Sequence, residues 1–368
     1  MPEKISVALS VDALSPRLTG IGRYCLELGR GLRAASEISR ISYFRGAHWL
    51  DDPEVLLNDQ WELPSGRLRR QFTDWRGRMR ARDAIVHGTN YFLPSWAESG
   101  IVTVHDLSVL LYPETHPLER VKDFERRFKQ TLDRARAIIT DSETVRQEVV
   151  TTLEIKPDRV FAIPLGVTQS PGGSAGYESN LTRYGLSREG YTLCVSTFEP
   201  RKRIDRLIEA YEQLSLDLRR AFPLVLIGAS GWRNDELNAR IDTAQAAGWL
   251  KRLDFVPDET RDALYRGARL FVYPSLYEGF GLPPLEAMLQ GIPTIIGNAA
   301  TLIEVTRGAA RITNVDDREG FAYDLSEALQ DEGWRCRAAA AGRLIAEGYT
   351  WDTCISRTIE AYRKVIDF

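Results

Sequence analysis

The segment Tyr273-Pro274-Ser275-Leu276-Tyr277-Glu278-Gly279-Phe280-Gly281-Leu282-Pro283-Pro284-Leu285-Glu286-Ala287-Met288 decides the fold prediction for this chain. It joins an apolar run to a glycine-rich turn and then to a helix-like stretch that Pro283 and Pro284 open. A strand, a glycine turn and a helix in this order are typical of a doubly wound α/β domain. Such domains bind ligands at the carboxyl ends of their strands.

The same segment carries groups that suit a phosphorylated sugar. Backbone N–H groups of Phe280, Gly281 and Leu282 at a helix N-terminus can bind a phosphate or a sugar oxygen. Glu286 can accept hydrogen bonds from both hydroxyls of a ribose, and Glu278 can accept one from a hexose hydroxyl. The alternative is that both carboxylates only stabilise the helix macrodipole.

A basic run lies upstream, after another strand-like segment that ends near Ser196. There Glu199-Pro200 precedes Arg201, Lys202 and Arg203. Lysine and arginine neutralise the charge that develops on a leaving diphosphate, so this run predicts a diphosphate site. A short basic run can also be a solvated face without a ligand.

Apolar runs alternate with helical stretches in both halves of the chain, which predicts parallel sheets. We expect a first domain over 1–170, a linker over 171–186 and a second domain over 187–349. The predicted strands are 5–11, 84–86, 101–104, 137–140, 160–163, 191–196, 224–227, 253–256, 270–273 and 294–296.

Composition excludes several classes of protein. The chain has 368 residues, 43% of them hydrophobic, which fits two domains with large cores. Its net charge of −3 gives no overall attraction to nucleic acid. The four cysteines have no zinc-site spacing and are too sparse for a disulfide framework in a chain this long, so we expect them reduced in the cytoplasm. No apolar run reaches the ~18 residues of a membrane span.

The first half offers glycines and histidines at strand ends. Gly20 and Gly22 lack the third glycine of a dinucleotide motif, so they form either a tight turn or a backbone approach to a ligand. His87 and His105 each close a strand-like run, where a side chain can face a cleft. Because no metal-binding motif occurs, we expect no metal site and no cofactor.

The stretch 66–82 contains seven arginines around Leu68, Phe72, Trp75 and Met79. These four apolar residues share one face of a helix. One interpretation is a surface helix that packs on its own domain. The other is a cationic amphipathic helix that contacts an anionic membrane surface.

The chain resembles the retaining glycosyltransferases of family 4. Three segments carry this resemblance: Glu278 to Glu286, Glu199 to Lys202 and the Gly20 loop. The resemblance covers nearly the whole chain and is nearest to mannosyltransferases of bacterial O-antigen and exopolysaccharide synthesis. It implies the GT-B fold, in which two Rossmann-like domains face a central cleft. It also implies that a closing helix over 350–368 returns to the first domain.

By this resemblance, Lys202 with Arg201 binds the donor diphosphate, Glu286 binds the ribose, and Glu278 orients the hexose. His105, Glu278 and Lys202 form the implied catalytic group, while His87 and Tyr24 contact the acceptor. Glu304 matches a glutamate in a loop behind the sugar. The implied donor site comprises Gly20, Gly22, Ser196, Arg201, Lys202, Val256, Glu278, Gly279, Phe280, Gly281, Leu282 and Glu286.

Two positions depart from the family. Relatives often carry an arginine where this chain has Ser196, so Arg201 or Arg203 replaces that charge or the diphosphate is held more weakly. The loop before Glu304 reads Gly297-Asn298-Ala299-Ala300-Thr301 instead of a polar pair.

The expectation is a retaining hexosyltransferase that uses GDP-mannose on a saccharide or lipid-linked oligosaccharide, in the bacterial cytoplasm or on the inner face of its membrane. The family's mechanism needs no covalent nucleophile from the protein. The alternatives are a GDP-rhamnose or UDP-sugar donor, a phosphorylase or epimerase of the same fold, and a nucleotide-sugar-binding subunit without turnover.

Overall fold

The computed structural model describes residues 4–60, 70–168, 177–229, 231 and 235–366. These residues form two compact units, each built around its own sheet. The first unit takes in Met1–Pro113, Leu118–Gly166 and Thr350–Phe368, so the last helix belongs to it. The second unit takes in Glu114–Pro117 and Val167–Tyr349.

The sheet of the first unit has seven strands within the described residues, in the order β3-β2-β1-β4-β5-β6-β7. The β2–β3 pair is antiparallel and the other pairs are parallel. The strands are β1 Ile5–Ser10, β2 Ile38–Arg45, β3 His48–Leu50, β4 Ile85–Gly88, β5 Gly100–Val104, β6 Ala135–Thr140 and β7 Val160–Ala162.

The sheet of the second unit is parallel throughout, with the order β10-β9-β8-β11-β12-β13 over the described part of the chain. Its strands are β8 Thr192–Val195, β9 Leu224–Ile227, β10 Leu250–Leu253, β11 Leu270–Tyr273, β12 Thr294–Gly297 and β13 Arg311–Thr313.

Helices flank both sheets. Those of the first unit are α1 Gly20–Ala34, α2 Arg70–Arg80, α3 Ser108–Leu111, α4 Leu118–Leu132, α5 Glu143–Thr152 and α15 Trp351–Ile366. Those of the second unit are α6 Tyr177–Arg183, α7 Ile204–Gln213, α8 Leu216–Ala221, α9 Asp235–Ala246, α10 Asp258–Gly267, α11 Leu282–Leu289, α12 Ala300–Thr306, α13 Arg318–Gln330 and α14 Glu332–Glu347.

The second sheet is buried on both faces because its side chains alternate between two cores. Leu224 and Leu226 of β9 pack in one hydrophobic cluster, whereas Val225 and Ile227 pack in the other. All four residues are buried, which explains why β9 is apolar at every position. The expected two-domain, parallel α/β architecture is confirmed.

Strand order reverses between β1 and β4 in the first sheet and between β8 and β11 in the second. At such a switch point the two following connections run to opposite faces, which opens a crevice at the carboxyl edge. The crevice of the second unit therefore lies beside the loops that carry Arg201, Lys202 and Glu278.

Three local predictions need correction. The predicted strand 253–256 is displaced, because Leu250–Leu253 pairs residue by residue with β9. Gly20 and Gly22 form the first turn of α1 instead of a preceding loop, since the side chain of Thr19 accepts from the Gly22 N–H and caps the helix there.

The predicted linker 171–186 includes α6, whose Leu181 packs in the core of the second unit. Residues 171–176 lie outside the described residues.

Candidate functional site

A basic turn follows β8 in the second unit. Residues 200–202 form one turn of 3₁₀ helix that buries both Arg201 and Lys202. Arg203 has a φ of 53°, in the left-handed region, and begins α7. Its Nη2 lies 3.6 Å from Asp316 Oδ1. Arg201 and Lys202 are therefore the two cations of this run that face the loop after β11.

Lys202 and Glu278 form a buried ion pair at this edge of the sheet. The Lys202 Nζ donates to Glu278 Oε1 at 2.5 Å and to the Tyr273 hydroxyl at 3.1 Å. Lys202 and Glu278 are only 8% and 7% exposed. The sequence therefore brings together, as predicted, a cation after one strand and a carboxylate after its neighbour.

Arg201 joins the two loops from the other side. Its Nη1 donates to the Tyr277 carbonyl at 2.8 Å and lies 3.5 Å from Glu278 Oε2. Its own carbonyl accepts from the Leu276 N–H at 3.0 Å. Both oxygens of Glu278 thus face a cation.

The charges of this cluster support one another. Burial alone would raise the pKa of Glu278, but Lys202 and Arg201 hold it below its ordinary value. Burial lowers the pKa of Lys202, and the adjacent Glu278 opposes that change. A second buried carboxylate belongs to the cluster, because Glu199 Oε2 lies 3.7 Å from Arg201 Nη2, so two cations face two carboxylates.

The predicted anion-binding backbone is present at the start of α11. Gly281 has a φ of 104°, which favours glycine, and it directly precedes the helix. In the described part of the chain, the N–H groups of Phe280, Gly281 and Leu282 donate no hydrogen bond. They remain available to an oxygen ligand.

Glu286 lies on α11 and is partly exposed. The hydroxyl of Tyr265, on α10, donates to its Oε2 at 3.0 Å. Val256, expected near the nucleobase, lies in the connection from β10 to α10 and is 7% exposed.

Ser196 directly follows β8. Its carbonyl lies so close to Gly228 that a Cβ added at Gly228 would be 1.8 Å from the carbonyl oxygen. Its own hydroxyl donates to the Thr197 carbonyl at 2.9 Å.

His105 in the first unit is held at both ring nitrogens. Strands β5 and β6 pair Val104 with Thr140, so the residues that follow them, His105 and Asp141, lie side by side. Nδ1 of His105 lies 2.7 Å from Asp141 Oδ2, and Nε2 lies 2.9 Å from the Thr89 carbonyl. Burial alone would lower the pKa of His105, but Asp141 raises it.

His87 and Tyr24, which the resemblance places at the acceptor, are both buried against other residues of the first unit. His87 is 0% exposed, and its ring nitrogens lie 2.7 Å from the Tyr362 hydroxyl and 2.8 Å from the Thr103 hydroxyl. Tyr24 is 1% exposed and shares a hydrogen bond with the same Thr103. Tyr362 of α15 thus contacts His87, and Thr103 of β5 connects His87 with Tyr24.

The arginine-rich helix exposes Trp75 and Met79, the two apolar residues of the stripe whose side chains the structure describes. Trp75 and Met79 are 58% and 54% exposed, while Gly77 faces the ring of Trp96 so closely that a Cβ would lie 2.5 Å from it. The face that packs on the domain at Gly77 is therefore not the one that carries Trp75 and Met79. Leu68, Arg67 and Arg69, and the side chain of Phe72, lie outside the described residues.

Across residues 4–60, 70–168, 177–229, 231 and 235–366, no group of three or more His, Cys, Asp or Glu side chains could hold a metal ion. No helix in those same ranges has both the length and the apolar character to cross a membrane.

Sequence reasoning missed three residues of these clusters. Asp141 could have been found, because it follows a strand as His105 does. Tyr265 and Tyr273 give no local signal, since their hydroxyls meet Glu286 and Lys202 from 21 and 71 residues away.

Two family descriptions match this chain. Residues 183–345 match "Glycosyl transferases group 1", and residues 18–170 match "Glycosyltransferase Family 4". Among individual proteins, the O-antigen chain mannosyltransferase B of Escherichia coli is 36% identical over 98% of this chain and 100% of its own length. The O-antigen chain mannosyltransferase RfbU of Salmonella typhimurium is 25% identical over 64% of this chain and 62% of its own length.

Solved structures share the fold. Sucrose-phosphate synthase from Thermosynechococcus elongatus has a TM-score of 0.74 at 19% identity, covering 99% of this chain and 100% of that one. Anabaena HepE, in complex with UDP and glucose, has a TM-score of 0.73 at 15% identity, covering 98% and 100%.

Proposed function

The chain belongs to the group 1 glycosyltransferases of family 4, and we propose that it transfers mannose from a nucleotide-sugar donor during the synthesis of a bacterial O-antigen. Membership shows that it is a glycosyltransferase. The observation that carries the proposal is the cluster of Arg201, Lys202 and Glu278 at the carboxyl ends of β8 and β11. The 36% identical mannosyltransferase supports mannose as the sugar.

GDP-mannose is the proposed donor. Its diphosphate lies against Arg201 and Lys202, the two cations that Glu278 and Glu199 hold at the carboxyl edge of the sheet. Its phosphate or hexose oxygens meet the open N–H groups of Phe280 to Leu282. No cofactor is needed in this scheme, because the two side-chain cations offset the charge that grows on the departing diphosphate.

The reaction we propose retains the configuration at C1. The bond from C1 to the diphosphate oxygen breaks and its electron pair leaves with the diphosphate. The acceptor hydroxyl attacks C1 from the same face, and its proton passes to a diphosphate oxygen. Glu278 is a poor nucleophile because its two oxygens lie 2.5 Å and 3.5 Å from cations. It orients the hexose and stabilises positive charge at C1 instead.

Thermal unfolding against GDP, UDP, ADP and dTDP, and then against the matching nucleotide sugars, tests the donor. A ligand that binds only the folded chain raises its unfolding temperature by mass action, so GDP and then GDP-mannose should give the largest shifts. Transfer from GDP-mannose to an oligosaccharide, read by NMR as an α-linkage, would support the whole proposal. A larger shift and faster transfer with another sugar would contradict it, and no shift with any nucleotide would favour a subunit without turnover.

The acceptor we propose is a saccharide carried on a lipid at the inner face of the cytoplasmic membrane. Helix α2 supports this placement, since Trp75 and Met79 project to solvent beside Arg76 and Arg78. Aromatic and basic side chains on one exposed helix fit an anionic interface.

A further inference from the structure

We propose that Tyr265 is a positioning residue for ribose recognition: it holds one oxygen of Glu286 so that the other oxygen faces the ribose hydroxyls of the donor. The proposal rests on the proposed role of Glu286 in the nucleotide-sugar site. It adds a residue that lies on a different helix from Glu286 and makes no ribose contact itself.

The hydrogen bond between the two side chains is directional. The Tyr265 hydroxyl donates to Glu286 Oε2 at 3.0 Å, from α10 to α11. Among the described residues, the Glu286 side chain makes this one hydrogen bond. Its other oxygen, Oε1, has no hydrogen-bond partner there. A carboxylate anchored at one oxygen has lost rotation about its last bond, so its other oxygen is presented in one direction.

Tyr265 itself cannot turn away. It is 1% exposed, and its ring packs against Phe271 of β11 with centroids 5.5 Å apart. Burial, and then the nearby Glu286 charge, raise the pKa of Tyr265 well above its ordinary value. The phenol therefore stays protonated and can only donate to the carboxylate.

Arg261 reinforces the same geometry. It precedes Tyr265 by one turn on α10 and is held by Asp258 at 2.8 Å. Burial opposes its charge, yet Glu286 and neighbouring carboxylates raise its pKa. Arg261 therefore places a fixed positive charge near Glu286, on the same helix as Tyr265.

The second phenol of the site has a different partner. Tyr273 accepts from Lys202, on the diphosphate side of the cluster. The structure thus assigns one buried phenol to the ribose carboxylate and another to the phosphate-binding lysine. Tyr265 should therefore affect binding of the ribose, and Tyr273 binding of the diphosphate.

A comparison of ribonucleotide and deoxyribonucleotide binding tests the proposal. The dissociation constants of GDP, 2′-deoxy-GDP and 3′-deoxy-GDP are measured for the wild type, Tyr265→Phe, Glu286→Gln and Tyr191→Phe. Tyr191→Phe is the matched control. The buried hydroxyl of Tyr191 also contacts α10, but it donates to the Leu264 carbonyl and not to Glu286. If the chain prefers another nucleoside diphosphate to GDP, that diphosphate and its 2′-deoxy and 3′-deoxy analogues are used instead.

We expect the wild type to prefer the ribonucleotide and Glu286→Gln to lose most of that preference. Tyr265→Phe should reduce the preference by about five- to tenfold, the loss that corresponds to the net contribution of one typical hydrogen bond. Tyr191→Phe should keep the wild-type preference.

Two results overturn the inference. If Tyr265→Phe lowers the unfolding temperature but keeps the full ribose preference, while Glu286→Gln loses it, Tyr265 is merely structural and the proposed function stands. If Glu286→Gln also keeps the preference, the ribose site is assigned wrongly and this inference fails, whereas mannosyl transfer from GDP-mannose is contradicted only by the thermal-shift and transfer measurements.

Discussion

The ammonium of Lys202 and the carboxylate of Glu278 meet at 2.5 Å although 76 residues separate them in the chain. The pair exists because β8 and β11 are neighbours at the switch point of the second sheet, and each residue follows one of these strands. Both side chains are buried, so neither charge is stable in this position without the other.

Removing Lys202 should affect both activity and stability. Lys202→Ala leaves Glu278 buried with Arg201, at 3.5 Å, as the cation that remains beside it. We expect kcat/KM to fall about 10²-fold or more, the usual loss for one group that stabilises a developing anion. The free energy of unfolding should fall by about 3 kcal/mol, as for other broken buried pairs. Steady-state kinetics and urea unfolding measure the two effects.

Arg203→Ala is the control for that variant. Arg203 belongs to the same basic run but lies 3.6 Å from Asp316, and its side chain is 26% exposed. We expect its kcat/KM to stay within about threefold of the wild type, because exposed pairs contribute little. Equal losses in both variants would mean that the run acts through its total charge and not through the Lys202–Glu278 geometry.

Glu278 should form no covalent bond to the sugar. Cations face both of its oxygens, so Glu278→Gln removes an orienting charge and not a nucleophile. We expect a fall in kcat of about 10²-fold with the α-configuration of any product retained. Intact-mass spectrometry of the wild type with donor alone should show no glycosyl adduct. A stable adduct on a Glu278 peptide would contradict the mechanism.

The sequence was sufficient for those parts of the site that are local. The stretch from Tyr273 to Glu286 contains its own strand end, glycine turn and helix start, so the strand at 270–273 and the open N–H groups could be predicted. The family resemblance stated from these motifs is confirmed. The roles of the individual residues stay predictions.

The features that local sequence signals do not determine depend on distant contacts. A histidine at a strand end, such as His87, is typical of a cleft, but here Tyr362 lies against it from 275 residues away. Likewise, the helical spacing of Trp75 and Met79 predicts a shared face but not whether that face turns inward. The small Gly77 decides this, because it lets the opposite face approach Trp96.

His87 should make stability depend on pH. Burial, and then the nearby His105, lower the pKa of His87 from its ordinary 6.5 to about 3. As pH falls below 6.5, His87 therefore binds a proton in the unfolded chain but stays neutral in the folded chain. The His87 contribution to the free energy of unfolding is complete above pH 6.5 and decreases by about 1.4 kcal/mol for each pH unit below it.

His87→Gln removes this dependence. We expect the wild type to exceed the variant in stability at pH 7, with the gap about 2 kcal/mol smaller at pH 5. Urea unfolding at several pH values measures the gap. A gap that does not change over this range would show that His87 accepts a proton in the folded state.

The exposed face of α2 should bind anionic membranes. Trp75 and Met79 are more than half exposed, so their replacement by serine leaves the core intact while removing the apolar part of the interface. We expect Trp75→Ser/Met79→Ser to weaken binding to phosphatidylglycerol vesicles at low salt by about tenfold, with transfer to a soluble acceptor unchanged. Leu344→Ser, at a residue 73% exposed on α14, is the matched control and should bind vesicles as the wild type does. Equal loss in the control, or no vesicle binding by the wild type, would remove the membrane from the proposed function, because the acceptor would then have to reach the enzyme in solution.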